Sequence, residues 1–366
     1  MIIKKLNIKN FRNYDSFNIS FNQKINIIYG ENGVGKTNLL ESIYLLALTK
    51  SHRSFLDNSL IKKNKDFSNI KGDFIINSIL SKFEINLTEN KKVIKKDNNE
   101  VKKLSDYLSN INIIIFYPDD LQIIKGSPNE RRNFLDIELS QIFNNYIEVL
   151  IKYHKILKMR NNYLKNSIKF DNNYFDIVTD HLIDYALILT KLRKKFINKL
   201  NEKCSTIYEK LTGLKNFNIK YVSNYNNNEE KEKIKEMYEN IKSQELKYNV
   251  TLIGPQKDDL EFYIGEKNIK NFGSQGQQRM AVLALKLSEL EIIKEIKNET
   301  PILLLDDVLS ELDIEKQNKL LGFIKNNSQV IITTTDLKNI DEKILKKAKK
   351  IHIKDGKIIR KGDRNE

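Results

Sequence analysis

Apolar and polar residues alternate near both ends of the chain and recur with helical spacing through its middle. Residues 2–9 and 17–21 follow a period of two, which predicts a half-buried antiparallel pair of strands. Ile25, Ile27 and Ile28 read as a short buried strand, after which Leu39, Leu40, Ile43 and Tyr44 recur as in a helix running to about Leu48. Phe74-Ile75-Ile76, Phe83 to Leu87 and Val93-Ile94 predict hairpins, with Asp97-Asn98-Asn99 as turn residues. The apolar run 111–117, closed by Pro118, reads as a buried strand.

The middle differs. Leu150, Tyr153, Leu157 and Leu164 keep one helical stripe, and Leu182, Ala186, Leu189, Phe196 and Leu200 keep another that only Arg193 interrupts. Ile207, Tyr208 and Leu211 extend the second stripe to Gly213. Two amphipathic helices with an Asn-rich connector predict a short antiparallel arm, and core packing is the ordinary cause of such stripes. Residues 223–240 read as a mobile loop followed by a solvated helix. Sheet pattern returns at Val250-Thr251-Leu252 and at Leu260, Phe262 and Ile264. A helix follows Ser274, then buried strands at Ile302 to Asp307 and Val330 to Asp336, a short helix after Asp313, and a closing hairpin around Asp355-Gly356.

One stretch carries chemistry as well as pattern. Gly30-Glu31-Asn32-Gly33-Val34-Gly35-Lys36-Thr37 has the G-x-x-x-x-G-K-[ST] spacing between a strand and a helix. Such a loop turns successive N–H groups toward phosphate oxygens, and the helix N-terminus adds partial positive charge. Lys36 would reach the β- and γ-phosphates, and Thr37 would offer its hydroxyl to Mg²⁺. A glycine-rich turn matching by chance would lack the flanking strand and helix. The site also needs a carboxylate for the metal and a group to orient water. Asp306 emerges at the C-terminal end of an apolar strand, where parallel sheets present ligands, and the adjacent Asp307 is the candidate general base. The bland alternative for the Asp-Asp pair is helix capping.

Ser274 and Gln277 form an S-x-x-Q capping box, yet glycines at 273 and 276 flank the serine more closely than a cap requires. Such a helix start is also an anion site, here suited to the γ-phosphate held by another subunit. Arg12, in Asn10-Phe11-Arg12-Asn13-Tyr14, reads as a solvated loop charge. Arg53 fits either a phosphate contact or a cation near a helix C-terminus.

Composition narrows the picture only modestly. The 366 residues are 40% hydrophobic and 30% charged, as in a soluble chain of two or three domains. The formal charge of +15 admits an anionic partner, nucleic acid or membrane surface, although an Asn-, Lys- and Ile-rich composition inflates it. The single Cys204 forms no intrachain disulfide and fits a reducing cytoplasm. Neither a signal peptide nor a bilayer-length apolar run is expected, and the four histidines lack zinc spacing.

In order along the chain, these motifs resemble the ABC-type ATPase superfamily and, within it, the RecF family of bacterial DNA repair proteins. Gly30 to Asn38 resembles its Walker A, Ser274-Gln275-Gly276-Gln277-Gln278-Arg279 its signature, and Leu303 to Asp307 its Walker B. Ser310 to Asp313 resembles the D-loop, and Thr333-Thr334-Thr335-Asp336 lies where the switch segment should be. Asn10 to Tyr14, Ser51-His52-Arg53, Tyr117 to Leu121, and Gly126-Ser127-Pro128 followed by Arg131 to Asp136 are family-specific matches. One departure is Gly254-Pro255-Gln256-Lys257-Asp258-Asp259, where the family usually has His-Arg in place of Gln-Lys.

The resemblance implies an α/β ABC-type head, a mixed sheet with an antiparallel β subdomain, split into residues 1–117 and 250–366 around a helical lobe at 118–249. It implies ATP and Mg²⁺ as cofactors. Gly30 to Thr37, Arg12, Arg53, Ser274, Gly276, Gln277 and Thr335 would bind nucleotide, Thr37 and Asp306 would hold the metal, and Lys36 and Asp307 would act in catalysis. Asp307, where most ABC ATPases have Glu, implies slow turnover. The implied protein is a cytoplasmic ATP-dependent homodimer that clamps single-stranded DNA and single-strand/double-strand junctions. It would help RecO and RecR load RecA in repair, replication restart and the SOS response, and hydrolysis would release it. The competing readings are the ATPase subunit of a membrane transporter and an interaction module with structural ATP. The helical insertion and the departure from Leu-Ser-Gly-Gly-Gln weigh against the transporter.

Overall fold

In a computed structural model, the structure describes residues 1–54, 56–166, 171–225, 228–324, 328–338 and 340–359. The Asn-rich connector at 167–170, part of the expected loop at 226–227, and the side chain of Glu311 in the D-loop segment lie outside the described residues. The chain divides into two compact units, Met1–Asp120 with Leu283–Glu366, and Leu121–Val282.

The first unit holds two sheets. In one, β1 (Ile2–Phe11), β2 (Tyr14–Ser20), β4 (Phe67–Ile76), β5 (Ile79–Thr88), β6 (Lys92–Lys96) and β7 (Asn99–Glu100) are antiparallel in the order β2-β1-β4-β5-β6-β7. Alternation predicts this sheet because its inward side chains, such as Leu6, Ile8, Phe74, Phe83 and Ile85, are buried. Asp97 and Asn98 take positive φ in the tight turn before β7. The second sheet contains β3 (Ile25–Tyr29), β8 (Ile113–Phe116), β12 (Ile302–Asp306), β13 (Val330–Thr334), β14 (Ala348–Lys354) and β15 (Lys357–Ile359), ordered β15-β14-β3-β13-β12-β8. All its pairings are parallel except the β14–β15 hairpin. Its central strands β12 and β13 are buried along their whole length and mostly apolar, as expected for a sheet covered on both faces.

Helix α1 (Lys36–Leu48) is buried nearly all round. Gln329 ties the two sheets, accepting from Ile3 N at 2.7 Å and donating to the Ile3 carbonyl at 2.8 Å. Short helices α2 (Ser105–Leu108) and α11 (Glu342–Leu345) and the longer α10 (Ile314–Ile324) complete this unit.

The second unit is mainly helical: α3 (Gln122–Lys125), α4 (Pro128–Ile142), α5 (Tyr146–Asn166), α6 (Asn172–Thr212), α7 (Lys231–Tyr248) and α8 (Ile269–Phe272). A small antiparallel sheet, β11-β10-β9, joins them (β9 Phe217–Val222, β10 Asp259–Ile264, β11 Lys267–Asn268). Helix α9 (Gln275–Lys297) begins in this unit and ends in the first. The expected boundary at residues 249/250 therefore moves to Val282/Leu283: β10 pairs with β9 along its whole length and cannot belong to the other sheet.

Two more expectations change. Val250-Thr251-Leu252 is not a strand, because side chains take its N–H groups: Asn161 accepts from Thr251 at 2.8 Å and Glu245 from Leu252 at 2.8 Å. Helix α7 is not merely solvated, since it buries Ile234, Tyr238 and Glu245.

Arg193, the apparent flaw in the apolar stripe of α6, is buried. It donates to Asp136 at 2.8 Å, Tyr146 at 3.1 Å and the Pro255 carbonyl at 2.7 Å. Arg160 is completely buried between the rings of Phe175 and Tyr238, 4.4 and 4.9 Å from their centroids. It donates to Glu245 at 2.6 Å, Thr179 at 2.9 Å and Thr251 at 2.8 Å.

Glu245→Ala leaves that guanidinium buried without its carboxylate, which costs about 3–5 kcal/mol. Urea unfolding should report a correspondingly lower midpoint for the variant; an unchanged midpoint would remove the pair from the structural core.

Candidate nucleotide-binding site

The site grows from the C-terminal ends of three parallel strands. Strand β13 pairs with β3 on one side and β12 on the other, so Ile28, Thr333 and Asp306 lie in register. The chain leaves β3 through the glycine loop and enters α1 at Lys36. Gly30 is required by close approach: a Cβ there would stand 2.1 Å from the Ile353 carbonyl oxygen of β14. Gly35 has φ 108°, and a Cβ would stand 2.6–2.9 Å from the Asn13 amide and the Tyr14 hydroxyl. Those two residues brace the loop, Tyr14 donating to the Gly35 carbonyl at 2.9 Å and Asn13 to that of Val34 at 3.2 Å.

The Lys36 ammonium is buried and donates to the carbonyls of Gly30 and Glu31, at 2.8 and 2.7 Å. Burial lowers its pKa, against the opposing pull of Asp307 and Asp306. Glu31, Asn32 and Gly33 form the exposed crest of the loop, with Val34 half-buried beside them. Asp306 Oδ1 accepts from Thr37 Oγ1 at 3.0 Å and from Thr333 Oγ1 at 2.6 Å. Burial raises the Asp306 pKa, and both hydroxyl contacts oppose the rise. Asp307 leaves the strand with φ 55°, and its N–H is held by the carbonyl and hydroxyl of Thr333 at 3.2 and 3.1 Å. Its Oδ1 is buried without a hydrogen-bond partner among the described residues. Thr335 follows β13, half-buried, one residue beyond the strand end.

Arg12 is not a solvated charge. It forms a two-pronged contact with Glu41, at 2.9 and 2.6 Å, and donates to the Ser59 carbonyl at 3.0 Å. Glu41 is fully buried on α1 and also accepts from Ser51 Oγ at 2.5 Å. Burial pushes its pKa up, but the hydrogen bonds from Arg12 and Ser51 outweigh this and hold it below the ordinary value. Arg53 donates to Asn38 in the first turn of α1, at 3.0 Å, and lies 3.7 Å from Glu41. That places it beside the start of α1 and not at the helix C-terminus. Arg12, Arg53, Asn13, Asn38 and Lys63 line a cleft of about 480 Å³ with no carboxylate among its described lining residues.

Sequence reasoning missed Glu41 and left Thr333 without a role. A carboxylate within the apolar surround of α1 was the available signal for Glu41. Nothing local marks Thr333, because strand order decides its position.

In the second unit, the capping box at Ser274 is formed. Gln277 N donates to Ser274 Oγ at 3.2 Å, and Ser274 N donates to Gln277 Oε1 at 2.9 Å. Gly276 is open, with only Ser274 Oγ within 4 Å of an added Cβ, at 3.9 Å. Gln256, in the departing Gln-Lys pair, accepts from Tyr153 OH and donates to the Ile253 carbonyl at 2.8 Å. Its neighbours Asp258 and Asp259 bond Tyr221 and Arg131, so this motif serves packing within the unit.

A phosphate loop whose strand is separated from the Asp306 strand by one intervening strand, in a unit that also holds an antiparallel β sheet and whose sequence is interrupted by a helical unit, defines an ABC-type ATPase head of the SMC-like kind. Residues 2–115 match the RecF/RecN/SMC N terminal domain. A solved Smc head bound to the C-winged helix domain of ScpA shares the fold, with a TM-score of 0.55 at 17% identity over 98% of this chain and 97% of that one. The chain belongs to the RecF family. It is 42% identical over 98% of both chains to the DNA replication and repair protein RecF of Bacillus cytotoxicus, and 41% identical over 98% of both to that of Bacillus mycoides. A solved structure of the recombination mediator protein RecF with ATP in the RecFOR pathway superposes with a TM-score of 0.90 at 32% identity, covering 98% of this chain and 96% of that one.

His52 connects this site to the surrounding core. Its ring packs edge-on against Tyr44 and Tyr117, with centroids 5.1 and 4.8 Å apart. Burial lowers its pKa from 6.5 to about 4, Glu41 opposing. The unfolded chain therefore binds the proton more readily, so this histidine's contribution is full above pH 6.5 and is lost as pH falls toward about 4. Asp120, raised to about 6 by burial, titrates with the opposite sign and flattens the total. On passing from pH 7 to pH 5, His52→Phe should gain about 2 kcal/mol relative to wild type. Urea titrations at the two pH values read that difference, and parallel behaviour of both proteins would show His52 to be solvated.

Proposed function

We propose that this protein is an ATP-switched DNA-binding protein of recombinational repair and replication restart. The observation that carries the proposal is the juxtaposition of Lys36 and Thr37, at the start of the helix that follows β3, with Asp306 and Thr333 at the ends of the aligned strands β12 and β13, in a chain so similar to curated RecF proteins. The relative solved with ATP supports ATP as the nucleotide. Thr37 Oγ1 and Asp306 Oδ1, 3.0 Å apart, are hard oxygen donors suited to Mg²⁺. When bound, that ion neutralises phosphate charge.

The chain's own residues do the rest. Lys36 and the open N-terminus of α1 hold phosphate, and Arg12 and Arg53, braced by Glu41, offer cationic groups along the adjoining cleft. Asp307 carries a buried oxygen with no hydrogen-bond partner among the described residues, suited to orient and deprotonate water. An aspartate reaches less far than the glutamate usual in ABC ATPases, which fits slow hydrolysis.

Two copies would enclose the nucleotide, Ser274, Gly276 and Gln277 of one facing the phosphate loop of the other. The hydroxyl of Ser274 accepts within its cap and keeps its own proton free to donate. The ATP-bound homodimer would clamp DNA at gaps and single-strand/double-strand junctions in the cytoplasm, with RecO and RecR as partners in RecA loading, and hydrolysis would release it. The transporter reading has less support. No described helix is long and apolar enough to cross a membrane, which by itself does not exclude a peripheral ATPase subunit, but the curated relatives are repair proteins.

Sedimentation with ATP, with ADP and without nucleotide is the direct test. Wild type should dimerise only with ATP, and Lys36→Met and Ser274→Arg should stay monomeric. A Ser274→Arg dimer of wild-type strength would reduce this loop to a helix cap. Asp307→Asn should bind ATP and persist as a dimer while turnover falls at least tenfold, about 1.4 kcal/mol in the barrier; undiminished turnover would assign the base elsewhere.

A further inference from the structure

A second groove of the first unit lies apart from the nucleotide cleft. It encloses about 920 Å³ between the edge of the antiparallel sheet and the β14–β15 hairpin. Lys5 of β1 stands on one wall and Lys349 and Lys350 of β14 on the other, and no Asp or Glu is among the described lining residues. The Lys349 ammonium reaches across to the Ser20 carbonyl of β2 at 2.6 Å. Ile19, Ile351 and Ile358 give the floor an apolar character. In the lining, Tyr29 and His352 stack in parallel, with ring centroids 4.7 Å apart and planes inclined by 5°.

We propose that this groove holds a single strand of nucleic acid, its phosphates following Lys5, Lys349 and Lys350 and a base packing against the Tyr29–His352 pair. A track of cations beside planar rings and an apolar floor is the chemistry of sequence-tolerant single-strand recognition. A paired duplex would present phosphates to the lysines but no free base face to the rings. The proposal takes only the identity of the polymer from the DNA-binding reading above; the surface is read from its own residues.

The groove also adjoins the nucleotide site through the backbone. Tyr29 immediately precedes Gly30, and His352 immediately precedes Ile353, whose carbonyl oxygen presses on Gly30. A strand seated on the ring pair therefore touches both chains that set the entry to the phosphate loop. This contact gives bound strand and bound nucleotide a common set of atoms through which to influence each other.

The test is fluorescence anisotropy of a short labelled oligodeoxythymidylate with the full-length protein across a salt series. The triple variant Lys5→Ala, Lys349→Ala, Lys350→Ala should bind more weakly and show a slope of log K against log salt about 2 units shallower, as loss of three phosphate contacts on a single strand requires. His352→Ala should weaken binding about tenfold, and His352→Phe should retain it. Binding of a fluorescent ATP analogue by the triple variant, at wild-type strength, checks that the fold is intact.

If wild type binds the oligonucleotide and the triple variant matches it in affinity and salt slope, the groove assignment is overturned while the DNA reading stands. If wild type with ATP binds a labelled single-strand/double-strand junction but no oligodeoxythymidylate, the groove assignment falls while the DNA reading stands; if it binds neither, both fall. Capture of phosphatidylserine vesicles, lost in the triple variant and without oligonucleotide binding, would make the groove a membrane-facing surface and overturn the proposal. Loss in the lysine variant with no effect of His352→Ala would show phosphate tracking without base stacking and overturn the single-strand assignment.

Discussion

One carboxylate oxygen concentrates the constraints on this fold. Asp306 Oδ1 receives hydroxyl hydrogens from Thr37, at the start of α1, and from Thr333, at the end of β13. Both contacts require β13 to lie between the strands that lead to the phosphate loop and to Asp306, with all three in register. The remainder of the first unit secures that arrangement. Gln329 fixes the approach to β13, the carbonyl of Ile353 sets how closely β14 lies to Gly30, and α1 is buried nearly all round. Burial raises the cost of charge on Asp306, and the two hydroxyls recover part of it. A metal ion at these oxygens would supply the positive charge that such a buried carboxylate otherwise lacks.

A second buried carboxylate performs a different task. Glu41 joins Arg12 with Ser51 and Arg53, groups from two separate stretches of the chain, at a single point on α1. Held this way, the two arginines lose little side-chain freedom on meeting an anion, which is the usual advantage of preorganisation. The helical unit uses the same device without an evident ligand. Arg160 and Arg193 are buried cations whose donors are matched by carboxylates, hydroxyls and carbonyls from separate elements. Such networks are costly to disrupt and specify how helices align, since an apolar stripe alone tolerates sliding. Gln256 fits the same economy: a neutral donor and acceptor satisfies Tyr153 and the Ile253 carbonyl where the family usually has histidine.

Much of this was legible in the sequence, and the divide between legible and hidden follows the range of the interaction. The strand alternation, the glycine loop, the helical stripes and the capping box at Ser274 each arise from dihedral preferences and hydrogen bonds among residues within a few positions of one another, so the chain by itself determined them. Gly213 and the Asp355-Gly356 turn are of the same kind, with positive φ where the residues predict it. Val250-Thr251-Leu252 carries a strand pattern too, yet Asn161 from distant α5 and Glu245 from the preceding α7, itself held by Arg160 of α5, claim its N–H groups. Tertiary structure alone decided the partner of Arg12, the place of Thr333 between Thr37 and Asp306, the burial of Arg193, and the unit boundary at Val282/Leu283. Periodicity records which face of an element is buried. It does not record which distant element covers that face, and the partner of a buried charge is fixed only when strands and helices far apart in the chain have taken their order.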